Sequence, residues 1–171
     1  MKVEALMVES VRACKSGDSL AQAARIMWEH DCGCVPVVDD EQQVVGMLTD
    51  RDVCMAAYTQ GARLHEIPIS SAMSRKVRSC RRDEDVEVVL DRMCSDQVRR
   101  LPVVDERKRL IGIVSLNDIA VEAANERALK RKQVTLEQVA RTLATVCAHR
   151  QNSGELIVEF KPQSKLVAAK V

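Results

Sequence analysis

This chain repeats itself. A shift of 66 residues lays its first part on its second without a gap. Met7 falls on Met73, Val11 on Val77, Arg12 on Arg78, Cys14 on Cys80 and Met27 on Met93. Pro36-Val37-Val38-Asp39 falls on Pro102-Val103-Val104-Asp105, Gly46 on Gly112 and Asp52 on Asp118. Self-similarity at one fixed offset marks a duplicated structural unit, and two copies argue for a paired module rather than a solenoid. The apolar positions repeat as well. Leu20, Ala23, Ala24 and Met27, and then Val86, Val89, Leu90 and Met93, follow the i, i+3, i+4, i+7 spacing of one face of an amphipathic helix.

Each copy holds the same short motif. Gly46-Met47-Leu48-Thr49-Asp50-Arg51-Asp52 and Gly112-Ile113-Val114-Ser115-Leu116-Asn117-Asp118 each run glycine, two apolar residues, a hydroxyl residue, two variable residues and aspartate. An apolar strand entering a helix through Ser/Thr-x-x-acid is the pattern of a capping box. The same turn can do chemistry, because free N–H groups and the helix dipole attract anions there. A carboxylate at such a turn can also take the hydroxyls of a ribose, as in dinucleotide folds. Capping holds in either case, and spacing alone leaves open whether a ligand is added.

The order of elements follows from periodicity and breakers. A short helical lead-in (1–10) precedes a strand over Val11 to Cys14. Ser19 and Gln22 cap a helix through about Glu29. Strands at 35–38 and 44–48 flank an acidic turn, and a helix runs from Asp50 to about Tyr58. The unit reads β-α-β-β-α. Gly61, Pro68 and two serines mark a linker, after which the second unit repeats the order: strand near Val77–Cys80, helix 84–95, strands 101–104 and 109–114, and a helix from 116 to about Lys132. Thr135 and Gln138 cap a further helix ending near Arg150, with an apolar face of Leu136, Val139, Ala140, Leu143 and Cys147. Leu156 to Phe160 reads as a short strand, and Leu166 to Val171 as a terminal arm. The expected organisation is a first unit over 5–60, a linker over 61–72, a second unit over 73–124 and a C-terminal helical extension and tail over 125–171.

Composition narrows the partners. The 171 residues suit one compact domain or two very small ones sharing a core. With one Trp, one Tyr and one Phe, the core must be aliphatic, with Met7, Met27, Met73 and Met93 filling gaps. That scarcity speaks against base-stacking on single-stranded nucleic acid, despite Arg81-Arg82, Arg99-Arg100 and Lys130-Arg131-Lys132. Net charge is +1, unevenly spread: residues 7–54 carry −5, 73–120 carry +2 and 121–171 carry +4. A basic second half favours an anionic ligand, or is simply a solvated face. The opening Met1-Lys2-Val3-Glu4 has no leader pattern, and no apolar stretch reaches about 18 residues, so a cytoplasmic protein with no membrane span is expected. Its seven cysteines are then expected to be free and mostly buried. His30, Cys32 and Cys34 lack the spacing of a zinc or thioredoxin-like site, so no metal is expected. His65 and His149 have no company that would make a nucleophile and base, so the chain is not expected to be an enzyme.

Two gapless β-α-β-β-α units, each with Pro-Val-Val-Asp and then Gly-x-x-Thr/Ser-x-x-Asp, resemble a pair of CBS domains, a Bateman module. The likeness covers roughly residues 5–124. It implies an α/β (α+β) fold of two tandem units packed about a pseudo-twofold axis, here with a C-terminal helical extension. It also implies a stand-alone regulatory homodimer that binds adenosine-type ligands (AMP, ADP, ATP, NAD(H) or S-adenosylmethionine) in two clefts between the units. No cofactor is required, and a bound adenosine nucleotide and a regulated protein partner are implied. Carried over by position, Asp52 and Asp118 hold ribose beside Thr49 and Ser115. Cys34-Val35-Pro36 and Arg100-Leu101-Pro102 line the base pockets, closed by Val11 and Ala13 on one side and by Val77 and Ser79 on the other. Arg51 meets phosphate. Asn117 stands at that place in the second unit and is the weaker partner, which leaves the contact to Lys76, Arg99 or Arg100. Ala13 departs from the family's usual Thr, whereas Ser79 keeps a hydroxyl. The two clefts are expected to serve equally. The alternative is a ligand-free dimerisation or protein-interaction module.

Overall fold

The computed structural model describes residues 1–128 and 134–148. Each unit is a three-stranded sheet with helices packed on it. In the first, strands β1 (Cys14–Lys15), β2 (Cys34–Val38) and β3 (Val44–Thr49) stand in that order, with α1 (Leu20–Glu29) and α2 (Asp50–Gln60). In the second, β4 (Cys80–Arg81), β5 (Arg100–Val104) and β6 (Leu110–Ser115) stand with α3 (Val86–Asp96) and α4 (Leu116–Ala128). β1 runs parallel to β2 and β3 antiparallel to it. The second sheet repeats this residue for residue: Cys14 faces Val37 as Cys80 faces Val103, and Cys34 faces Thr49 as Arg100 faces Ser115. Even the register shifts recur, between Val37 and Val38 and between Val103 and Val104.

Helix starts obey their caps. The N–H of Gln22 donates to Ser19 Oγ at 3.3 Å while Gln22 Oε1 accepts from the N–H of Ser19 at 2.8 Å. α5 (Leu136–Cys147) starts with the same reciprocal pair on Thr135 and Gln138, at 3.1 and 2.8 Å.

The units exchange their entry segments. A 3-10 turn, Val3–Ala5, puts fully buried Val3 into the second unit's core, and its copy, Ile69–Ser71, puts fully buried Ile69 into the first. Val8 bridges Ile113 of β6, and Ser74 bridges Met47 of β3. Gln43 bridges Arg109 where the two sheets meet, and these two residues are each other's copies under the shift, so the pseudo-twofold axis passes between them. The glycine that opens each motif is explained here. A Cβ on Gly46 would lie 2.5 Å from Met73 Sδ, and one on Gly112 would lie 3.1 Å from the Val8 carbonyl oxygen. A side chain at either place would make the other unit's entry segment shift.

Some expectations change. The first strand of each unit pairs only from Cys14 and Cys80, because residues 11–13 and 77–79 are leaving the neighbouring unit's last strand to reach their own sheet. The lead-in is a single 3-10 turn followed by extended chain. α5 lies against α3 and α4, but turned from the expected stripe: Val139 and Thr142 are buried, while Leu136 and Leu143 stay 37% and 46% exposed. Polar anchors fix this rotation, with Gln138 Nε2 donating to Glu87 Oε1 (3.1 Å) and Gln97 Nε2 donating to the carbonyls of Thr145 and Ala148 (both 3.2 Å). The seven cysteines are free, yet only Cys14, Cys34 and Cys80 are buried, and Cys54 and Cys147 are exposed. The expected strand at Leu156 to Phe160 and the terminal arm lie outside the described residues.

Candidate functional site

The two motif turns are built alike. The N–H of Thr49 donates to Asp52 Oδ2 at 2.9 Å, Thr49 Oγ1 donates to the same atom at 2.7 Å, and the N–H of Asp52 donates back to Oγ1 at 3.2 Å. Ser115 and Asp118 repeat the three contacts at 2.9, 2.7 and 3.2 Å. Both aspartates are half-buried. The cap engages Oδ2 in each, and among the described residues neither Oδ1 takes a hydrogen bond. Each turn thus satisfies its helix and still presents one carboxylate oxygen.

A cavity of about 490 Å³ opens between the units on the first unit's side. Val11 and Ala13, the expected closing residues, line it with Arg12 and Lys15, and Leu110 and Ile111 of the second unit form its far wall. Arg12 and Lys15 bring positive charge, and Glu9 and Asp18 bring negative. Lys15 Nζ pairs with Asp40, which raises the lysine's pKa and lowers that of the carboxylate, while Arg12 is exposed and makes no hydrogen bond or ion pair among the described residues. Arg12 and Lys15 carry no motif, and only their place on the entry segment could have singled them out.

The other expected residues divide. The side chains of Val35 and Leu101 lie in the cores of their own units, so only their backbone can frame a ligand. Pro36 and Pro102 are buried beside them. Cys34 and Arg100, expected in separate pockets, meet each other. Burial pushes the Cys34 thiol's pKa up, and the Arg100 cation nearby partly offsets this. Arg51 and Lys76 are exposed, and Arg99 Nη2 donates to Cys147 Sγ of α5 at 3.3 Å. Val77 and Ser79 stand on the second entry segment, where Arg92 Nη1 donates to the Ser79 carbonyl at 2.6 Å.

Two β-α-β-β-α units that exchange entry segments about a pseudo-twofold axis, each with a capped strand-to-helix turn, define a duplicated cleft-forming module. The CBS domain model matches the chain twice, over residues 3–58 and 69–125, and the chain belongs to the CBS domain family. CBS domain-containing protein YhcV of Bacillus subtilis (strain 168) is 38% identical over 128 residues, 74% of this chain and 89% of YhcV. The crystal structure of the CBS domain pair of protein MJ0100, in complex with 5′-methylthioadenosine and S-adenosyl-L-methionine, matches with TM-score 0.68 at 27% identity, covering 74% of this chain and 98% of that one. Hypoxic Response Protein I, solved with two coordinated zinc ions, matches with TM-score 0.65 at 30% identity, covering 71% and 98%. In this chain no three His, Cys, Asp or Glu side chains gather as a metal-holding group among the described residues, and no helix there is long and apolar enough to cross a membrane.

Proposed function

We propose that the chain is a regulatory module that senses an adenosine-type ligand between its two units and is not itself a catalyst. The observation that carries this is the cavity at Val11 and Ala13, whose volume of about 490 Å³ falls in the range small ligands occupy, while Thr49, Asp52 and Cys34–Pro36 stand outside its lining. The adenosine compounds held by the CBS pair of MJ0100 support the ligand class. In this reading Asp52 and Asp118 offer their unengaged Oδ1 to ribose, with Thr49 and Ser115 beside them. Arg51, Lys76 and Arg99 serve phosphate, and the backbone at Cys34–Pro36 and Arg100–Pro102 frames the base. A ligand touching both units favours one packing of the pair over another by its difference in affinity for the two, and so passes a signal to a partner.

Thermal unfolding with AMP, ADP, ATP, NADH and S-adenosylmethionine, each in turn, tests this. A ligand at about 100 times its Kd adds about 2.7 kcal/mol. Asp52→Asn and Asp118→Asn keep an oxygen for the cap and remove the charge, so at least one of them is expected to lose the ligand shift while the free protein melts nearly as before. No shift with any of the five refutes the reading.

One observation favours a second reading, a module that pairs with another copy or another protein. Trp28 on α1 and Tyr58 on α2 are 88% and 83% exposed, with Met55 also exposed on α2. Large apolar side chains left in water mark interaction surfaces when they cluster. Sedimentation of the protein and of Trp28→Ala with Tyr58→Ser is expected to show a homodimer that the pair of substitutions weakens; a monomer at all concentrations refutes it.

A further inference from the structure

We propose that the two clefts are not equivalent: the first takes the ligand, and the second is latched by Arg92 and by the pairing of Arg78 with Asp96. This rests on the adenosine reading and adds which cleft works and what closes the other.

The repeat makes the comparison position by position. In the second unit, Arg92 on α3 reaches back to the entry segment. Its Nη1 donates to the Ser79 carbonyl at 2.6 Å and to Glu84 Oε1 at 3.3 Å, and its Nη2 donates to Glu84 Oε2 at 2.7 Å. The first unit has Ala13, Asp18 and Ile26 at these three places. Ala13 and Asp18 both line the open cavity, while Ile26 is not among its lining residues, packs against the first unit's core and has no donor to offer the entry segment. A guanidinium therefore stands in the second unit between the two positions that in the first unit border empty space. The contact is charge-assisted and only 28% exposed, so water competes with it poorly.

The neighbouring position differs in the same sense. Arg78 Nε donates to Asp96 Oδ1 at 3.1 Å, and that carboxylate is 19% exposed. The copies are Arg12 and His30, and Arg12 has no such partner among the described residues. One entry segment is tied to its helix by two arginines, while the other is untied and keeps an arginine for an anion. A ligand entering the second cleft must displace Arg92 from Ser79 and leave Glu84 half-buried without its cation, a cost the first cleft does not have. The family resemblance leaves the clefts equal, with Ser79 favouring the second and Arg51 the first; the arginine latch points to the first.

Isothermal titration of the full chain with AMP, ATP and S-adenosylmethionine, separately, decides it. One molecule per chain is expected for the probe that binds, weakened tenfold or more by Arg12→Ala. Placing the first unit's residues in the second, as Arg92→Ile with Asp96→His, is expected to raise the stoichiometry to two. The reverse transplant, Ile26→Arg, supplies a donor to the waiting Ala13 carbonyl and Asp18 and is expected to weaken the wild-type site tenfold or more, with the circular dichroism spectrum kept. This second variant decides the matter if the first does not fold. Two molecules per chain in the wild type overturns the latch and leaves the adenosine reading standing. Unchanged binding in Ile26→Arg, or a single site persisting in folded Arg92→Ile with Asp96→His, overturns the latch alone. No binding of any probe to any variant overturns both.

Discussion

The two units share a backbone and differ in what is fastened to it. Sheet register, bulges, 3-10 turns and the two motif capping boxes recur at the same offset, so most of the scaffold is written twice, although Asp85, the copy of Ser19, makes no side-chain cap on α3. The asymmetry lies in a few side chains and one added helix. Arg78, Arg92 and Asp96 tie down the second entry segment, where the first unit has Arg12, Ile26 and His30. α5 covers the outer side of α3 and α4, while the matching side of α1 leaves Trp28 in water. The second unit is thus braced at its cleft and on its outer face, and the first is open at both. Duplication supplies the scaffold, and departures from it supply two different halves.

The largest effect tests the part the halves have in common, the exchange of entry segments. Ile69 lies before the second unit in sequence but is fully buried in the first unit's core. Ile69→Ala is expected to cost about 2–5 kcal/mol, the range for truncating a buried Ile. Val3→Ala, its copy, is expected to cost about 1.5–3 kcal/mol because fewer methyl groups are lost. Denaturant midpoints measure both. A loss below about 1 kcal/mol for Ile69→Ala would show that the exchange does not hold the units together.

The next effect distinguishes the two crossings. Gly46→Ala and Gly112→Ala are each expected to cost about 1–3 kcal/mol by overpacking. The obstacles differ. At Gly46 the nearest atom is Met73 Sδ, part of a side chain, whereas at Gly112 it is the backbone oxygen of Val8. Adding Met73→Ala is therefore expected to recover part of the loss in Gly46→Ala. Adding Met7→Ala is expected to recover little in Gly112→Ala. Equal recovery in both double variants would remove this difference between the crossings.

Much of the fold is legible in the sequence because the repeat reports one pattern twice. Each strand and helix of the two units is checked by its copy, and Ser19/Gln22, Thr49/Asp52 and Thr135/Gln138 announce their helix starts by local hydrogen bonding alone. Less legible is whatever depends on contacts between units. Residues 11–13 read as strand because Val11 and Cys14 are apolar, yet they are a crossing segment, which only the pairing of Val8 with Ile113 explains. The stripe on α5 reads Leu143 as inward, but the glutamine anchors turn Thr142 in instead. At the candidate site the motif residues are visible in the sequence. The cavity's Arg12 and Lys15, and the tie between Arg92 and Ser79, are not, because they belong to no motif and meet only in the folded chain.

A smaller effect probes the caps. Thr49→Ala and Ser115→Ala each remove one acceptor from a helix N-terminus and are expected to cost about 1 kcal/mol. The geometries match within each pair of contacts, so the two losses are expected to agree closely in denaturant unfolding. Unequal losses would place one turn under a load that the shared backbone does not reveal.

The smallest effect at neutral pH concerns the thiols at the start of β1 and β4. Burial, with Asp18 nearby, pushes the Cys14 pKa up to about 11, and burial, with Glu84 nearby, pushes Cys80 to about 12. Raised values mean that the folded chain holds these protons more tightly than the unfolded one does. Between about pH 9 and 11–12 the unfolded chain has released them and the folded chain has not, so stability falls as pH rises through that window and is unaffected below it. Reactivity then separates the halves, since the thiolate is the reacting form. Alkylation at pH 8, read by peptide mass, is expected to modify exposed Cys54 and Cys147 first, then Cys14 and last Cys80. Cys14 lines the open cavity, whereas Cys80 sits beneath the segment that Arg92 holds and donates toward the Pro102 carbonyl at 3.9 Å. Arg92→Ile is expected to speed Cys80 toward the rate of Cys14, even though losing the cation raises the thiol's pKa and by itself would slow it. A slower Cys80 in that variant would mean that charge, and not access, governs the thiol, and that the two halves are equally closed.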